Sequence, residues 1–223
     1  MRITHGRITL ELHELARRGG LPLLLLHSLC GSSADWGEAP ATWPGPVFAL
    51  DFAGHGHSDW VVGGAYYPEM LAGDADAALA HIGNAAVAGA GVGAYAALLL
   101  AGARSTAVPA ALLLPGAGLA GGGPQPDHGR EFPEFILVAR RPGVADTDLM
   151  VRTLERDVRP VDYAEGFARA AERILLLEDG EPRPPWWEAT RRSPVAESIT
   201  ADLPSALTRL HATAHLRSTV TDY

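Results

Sequence analysis

The chain has 223 residues, enough for one domain that buries most of its apolar surface. Apolar residues make up 47% and charged residues 20%, the balance of a globular domain and not of a disordered tail or a solenoid. The net charge is −8 and arginine is the only fully basic side chain, present as short pairs such as Arg140-Arg141 and Arg191-Arg192, which argues against a nucleic-acid partner.

Cys30 is the single cysteine, so an internal disulfide framework is excluded and a reducing compartment is allowed. The first residues carry charges where a signal peptide needs an apolar core. The unbroken apolar stretches, Leu21 to Leu26 and Ala94 to Ala103, are too short to span a bilayer. The expectation is a cytoplasmic protein with no membrane partner, and nothing in the sequence fixes its oligomeric state.

In chain order, residues 7–16 and 22–29 read as two strands joined by an Arg-Arg-Gly-Gly turn. The second is apolar on both faces, as a buried central strand is, and residues 46–52 form another such run. From Pro68 to Ile82, apolar residues at 71, 75, 78, 79 and 82 make one helical face, with proline at the start and Gly83 after the end. Ala85 to Ala88 is a short strand, followed by a glycine-rich turn and an Ala/Leu helix to Ala103. Ala110 to Leu114, Arg173 to Leu177 and Glu197 to Ala201 are further strands, and Pro204 to Leu216 a last helix. Strands alternating with helices predict an α/β fold with a mainly parallel central sheet flanked by helices, its site at the carboxyl ends of the strands. The domain is expected to span 1–223. Residues 117–172 form a short cap insertion that opens on a Gly/Pro-rich loop and carries helices near 147–157 and 162–172.

Three segments carry a family resemblance. Leu25-Leu26-His27-Ser28-Leu29-Cys30-Gly31-Ser32-Ser33, with Trp36 shortly after, resembles the His-Gly oxyanion loop of α/β-hydrolases. Asp51-Phe52-Ala53-Gly54-His55-Gly56-His57-Ser58-Asp59 resembles that family's Asp-x-x-Gly-His-Gly-x-Ser segment. Gly89-Ala90-Gly91-Val92-Gly93-Ala94-Tyr95, between a strand and a helix, is similar to the nucleophile elbow Gly-x-Ser-x-Gly. The resemblance implies a three-layer α/β-hydrolase-like fold with a reduced helical cap. It also implies backbone oxyanion donors near Leu29 and Val92, and a pocket above residue 91 between loops 27–33 and 53–59.

The resemblance fails where the chemistry should be. Gly91 stands at the serine position and has no side chain with which to attack. Glycine is also expected to relax a turn that strains other residues by about 1–3 kcal/mol. No histidine lies in residues 202–207, where the family's base usually sits, and only Glu178, Asp179 or Glu181 could stand as the acid. The resulting expectation is a protein without Ser-His-Asp catalysis that binds a small apolar molecule. Its residual pocket would be lined by His27, Ser28, Leu29, Cys30, Gly91, Val92 and Tyr95, with no cofactor and no metal. The alternatives are an active hydrolase of a small ester, using Ser28, Cys30, His55, His57 or the late carboxylates, and a partner-binding or structural protein.

Several residues admit two readings. His55, His57 and Asp59 have a zinc-like spacing, but a hydrolase loop explains them better. His211 and His215 share a helix face, and solvated or capping histidines are the plain reading. Cys30 fits a half-buried packing residue. Trp186-Trp187 could line an entrance or pin the following helix, Tyr95 faces either core or pocket, and the glycines at 121–123 are a hinge or a plain turn.

Overall fold

The computed structural model describes residues 1–119 and 146–215. Among these, eight strands make one sheet: β1 (Arg2–His5), β2 (Ile8–Ala16), β3 (Leu23–Leu26), β4 (Val47–Asp51), β5 (Ala86–Ala90), β6 (Ala111–Leu114), β7 (Ile174–Leu177) and β8 (Ala196–Ile199). Their order is β1-β2-β4-β3-β5-β6-β7-β8. β1 pairs antiparallel with β2, and β2 with β4, while every later pairing is parallel. The helices are α1 (Pro68–Ile82), α2 (Val92–Ala103), α3 (Val161–Ala170), α4 (Pro185–Arg191) and α5 (Leu203–His215).

The central strands are apolar at every position because both faces are covered. Alternate residues go to opposite layers. Leu24, Leu26, Val87 and Leu113 pack with α1 to α4, and Leu23, Leu25, Ala88 and Leu112 pack with α5 and Trp43. α2 (VGAYAALLLAGA) is buried almost all round, so it lies against the sheet instead of presenting a polar face to water. Its close seat needs Gly93, where a Cβ would stand 2.2 Å from the Leu26 carbonyl oxygen.

Differences from the sequence reading fall mostly at element ends. β3 stops at Leu26 and not at 29, because residues 27–33 leave the sheet to build a loop. β1 (RITH) escapes the pattern, being a four-residue edge strand with exposed and buried positions alternating. Leu149–Arg156 is a 3-10 helix closed by i→i+3 bonds such as Val151 N–H to the Asp148 carbonyl, not an α-helix. α3 packs against α2 and α4, within the helical layer between β6 and β7. Residues 120–145 of the expected cap, including Gly121–Gly123 and Arg140-Arg141, lie outside the described residues, as does Leu216. No helix among the described residues is long and apolar enough to cross a membrane.

Candidate functional site

β5 turns sharply into α2 at Gly91, with φ +54° and ψ −115°. Only glycine adopts that conformation without strain, so the turn is not relaxed as expected but keeps its positive φ. Gly91 N–H donates to the Leu114 carbonyl at 3.1 Å. The next donor, Val92 N–H, reaches the Ala117 carbonyl oxygen at 3.0 Å, and Leu29 N–H reaches the same oxygen at 2.9 Å. Two backbone donors from two loops converging on one oxygen is the arrangement that stabilises an oxyanion. Here the oxygen belongs to the chain itself.

The space above Gly91 is filled by the same segment. A Cβ at residue 91 would lie 1.9 Å from the Ala117 oxygen and 2.7 Å from the Gly116 carbonyl carbon. Such a close approach needs glycine on both sides of Ala117. A Cβ at Gly116 would meet Gly91 N at 2.9 Å, and one at Gly118 would meet Val92 N at 2.6 Å. The Gly116-Ala117-Gly118 backbone therefore lies directly over Gly91 and Val92, and two open clefts at the surface lie beside Glu178 and Arg191 and beside Leu15 and Pro40.

The histidines near the elbow have structural duties. His27 is buried, and its Nε2 accepts the Phe52 N–H at 3.1 Å, which leaves Nδ1–H to donate to the Ser28 carbonyl at 2.7 Å. His55 is likewise buried, with Nε2 accepting the Cys30 N–H at 3.2 Å and Nδ1 3.1 Å from the Ala53 carbonyl. Burial lowers the His27 pKa, and burial with the nearby His27 ring pushes His55 down to about 3. Both are neutral at pH 7, with both ring nitrogens engaged in holding loops together. Neither is a free base for Ser28 or Cys30. Burial also pushes the Cys30 thiol up, away from the thiolate form that nucleophilic chemistry needs. Cys30 instead spends its backbone at φ +61° so that its N–H meets His55.

The zinc-like reading of His55, His57 and Asp59 does not survive, since His55 points inward and Asp59 accepts from Thr9 N–H and Arg2. The loop instead closes on Asp51, which is fully buried. Its Oδ1 accepts Ser33 N–H at 2.8 Å, and its Oδ2 accepts His57 N–H at 2.9 Å and lies 3.0 Å from His13 Nε2. Burial alone would raise its pKa, but the His57 and Ser33 N–H groups, the His13 ring and the Ser33 side chain bring it down to about 2.

The late candidates are also occupied. Glu178 is held by Arg191 at 2.9 Å, Ser198 Oγ at 3.0 Å and Trp187 Nε1 at 3.4 Å, and Asp179 accepts from Arg183. His211 packs edge-on against Trp43 at 4.9 Å, and its Nε2 lies 2.8 Å from that of His215. Trp186 and Trp187 sit inside α4 and are buried. Trp186 meets Tyr95 at 5.1 Å, so the pair pins α4 to α2. Tyr95 is fully buried with its ring in that contact, and its hydroxyl has no hydrogen-bond partner among the described residues.

Sequence reasoning missed Ala117 and His13. A backbone carbonyl has no residue signature, although the Gly116-Ala117-Gly118 spacing directly after β6 was a readable hint of close backbone approach. His13 faces the same side as Asp51 only once β2 and β4 are paired, with Glu11 opposite Asp51 and His13 opposite Ala49.

The strand order, the parallel crossovers and the sharp turn between β5 and α2 define an α/β-hydrolase fold. Three solved structures share it over nearly the whole chain. A hypothetical protein from Pseudomonas aeruginosa PAO1 matches with a TM-score of 0.67 and 18% identity, covering 98% of this chain and 99% of that one. The thioesterase domain from the curacin biosynthetic pathway matches at 0.65 and 16% identity, covering 97% of each chain. A thermophilic esterase from Thermogutta terrifontis matches at 0.63 and 19% identity, covering 99% and 97%. No protein-family model and no curated protein matches the sequence.

Proposed function

We propose that this chain is a non-catalytic protein of α/β-hydrolase fold that acts by binding instead of by turnover. One observation carries the reading. Gly91 offers no nucleophile, and the two donors that would stabilise a reacting oxygen are already bonded to the Ala117 carbonyl. Catalysis needs groups that bind the transition state better than the ground state, and donors committed to an internal carbonyl supply no such difference. A small apolar ligand with a carbonyl or carboxylate oxygen reaches Leu29 and Val92 only by displacing residues 116–118. That exchange replaces one carbonyl acceptor by another.

A partner-binding role is the second reading, and it rests on where apolar surface is exposed. Val62, Tyr67, Leu149, Met150, Val158 and Tyr163 are exposed, and their two segments are joined by the Tyr66–Asp148 and Arg159–Glu69 contacts. Apolar residues gathered on one face mark interaction surfaces more often than scattered ones do.

The test is incubation of purified protein with a fluorophosphonate probe and with short-chain p-nitrophenyl esters. The reading predicts no labelling and no turnover above the buffer blank. Labelling of a serine, or turnover lost in Ser28→Ala or Cys30→Ala, contradicts it.

A further inference from the structure

Away from the elbow, three side chains that the function above does not use point at one another. His13 comes from β2, Asp51 from the end of β4 and His57 from the loop that follows. We propose that His13 Nε2, Asp51 Oδ2 and His57 Nδ1 form a binding site for a single divalent transition-metal ion of the zinc class.

The ligand atoms all lie within 4.8 Å of one another. Asp51 Oδ2 is 3.0 Å from His13 Nε2 and 3.5 Å from His57 Nδ1. Bonds of about 2.0–2.1 Å around a tetrahedral ion place neighbouring ligand atoms about 3.3–3.4 Å apart, between those two separations. The two histidine nitrogens, within 4.8 Å of each other, have to draw together on the ion by rotation of their imidazoles.

The carboxylate is already fixed in place. Ser33 N–H holds its second oxygen at 2.8 Å and His57 N–H holds Oδ2 at 2.9 Å, the kind of outer hydrogen bonding that orients a metal ligand. The turn that brings His57 back is equally tight, since a Cβ at Gly56 would stand 2.3 Å from Asp51 Oδ2.

The histidine side chains are partly open, 29% exposed at His13 and 46% at His57, so an ion can enter from solvent and keep a coordination position for water. On binding, the ion replaces the proton between His13 Nε2 and Asp51 Oδ2. His13 then coordinates as its Nδ1–H tautomer. Two imidazoles with one carboxylate select zinc, cobalt or nickel over magnesium or calcium, which prefer oxygen-rich sets.

The test uses the tag-free full chain, titrated with zinc chloride by calorimetry and with cobalt(II) by visible absorption. The expected result is one saturable equivalent and a cobalt d–d band. His13→Ala and His57→Ala should each weaken binding by at least about tenfold while the far-ultraviolet circular dichroism is unchanged. His211→Ala, which breaks the other close histidine pair, should leave binding as it was. The proposal is overturned by no saturable binding, by binding that His13→Ala and His57→Ala leave intact, by loss confined to His211→Ala, or by equal affinity for magnesium. The elbow takes no part in these readouts, so this result and that of the esterase assay are separable.

Discussion

The loop after β4 and the turn after β5 lie at the same end of the sheet, yet they have diverged in opposite ways. Around Asp51 the side-chain chemistry is intact: a buried carboxylate gathers Ser33 N–H, His57 N–H and the His13 ring, and Ser58 Oγ bonds the Asp51 carbonyl at 2.5 Å. At Gly91 the backbone makes a sharp positive-φ turn without a side chain, and residues 116–118 pack directly over it. One loop is a polar network of side chains, and the other is a glycine turn held by backbone contacts. The contrast teaches that a fold can retain the conformation of a reactive turn when that conformation also packs two loops together. Here the Ala117 carbonyl does that packing, satisfying two N–H groups that would otherwise be buried without partners.

The comparison is broken most severely by Asp51→Ala. That change takes the acceptor from the buried Ser33 N–H and from the His57 N–H at the loop surface, and urea unfolding should show a loss of about 3–5 kcal/mol. Gly91→Ser comes next, because it combines a positive-φ penalty with a Cβ 1.9 Å from the Ala117 oxygen. It should cost about 3 kcal/mol and yield no esterase activity, measured by thermal melts and p-nitrophenyl ester assays. A substitution that was stable and active would mean that the 116–118 segment yields easily.

Acid titration separates the two regions more finely. The Asp51 carboxyl falls from an ordinary 3.8 to about 2 in the folded chain, so its stabilisation is fully present above pH 4 and is lost as pH drops through 2. The contribution is about 2 kcal/mol, and it should be missing from the acid limb of the stability curve of Asp51→Asn. The elbow carries no titrating group and adds nothing to that limb. Tyr95→Phe is the smallest effect. It removes a buried hydroxyl that has no partner and keeps the ring on Trp186, so stability should rise by up to about 1 kcal/mol.

The fold was legible wherever pattern and packing agreed. Doubly apolar β3 and β6 and the helix from Pro68 to Ile82 follow from periodicity, and the three loop motifs gave the superfamily shape. β1 was illegible because four edge residues carry too little pattern, and the start of α4 because a seven-residue helix after a proline-rich stretch gives little periodicity, so the two tryptophans read as preceding the helix and not as part of it. The glycine turn was legible in the Gly-x-Gly-x-Gly spacing around residue 91. What packs over it was not, because Ala117 acts through a carbonyl oxygen that every residue possesses. The neutral, fully engaged state of His27 and His55 was hidden for a related reason: it depends on which backbone groups face each ring nitrogen.

The central claim is that Ala117 occupies the paired donors at Leu29 and Val92. Amide hydrogen exchange followed by nuclear magnetic resonance reads those two N–H groups directly. The account predicts that in the free protein both are protected to the level of the β3 and β5 core amides. Exchange at loop-like rates, with the two amides shifting together as ester is added and consumed, would contradict it and show an open, working oxyanion site.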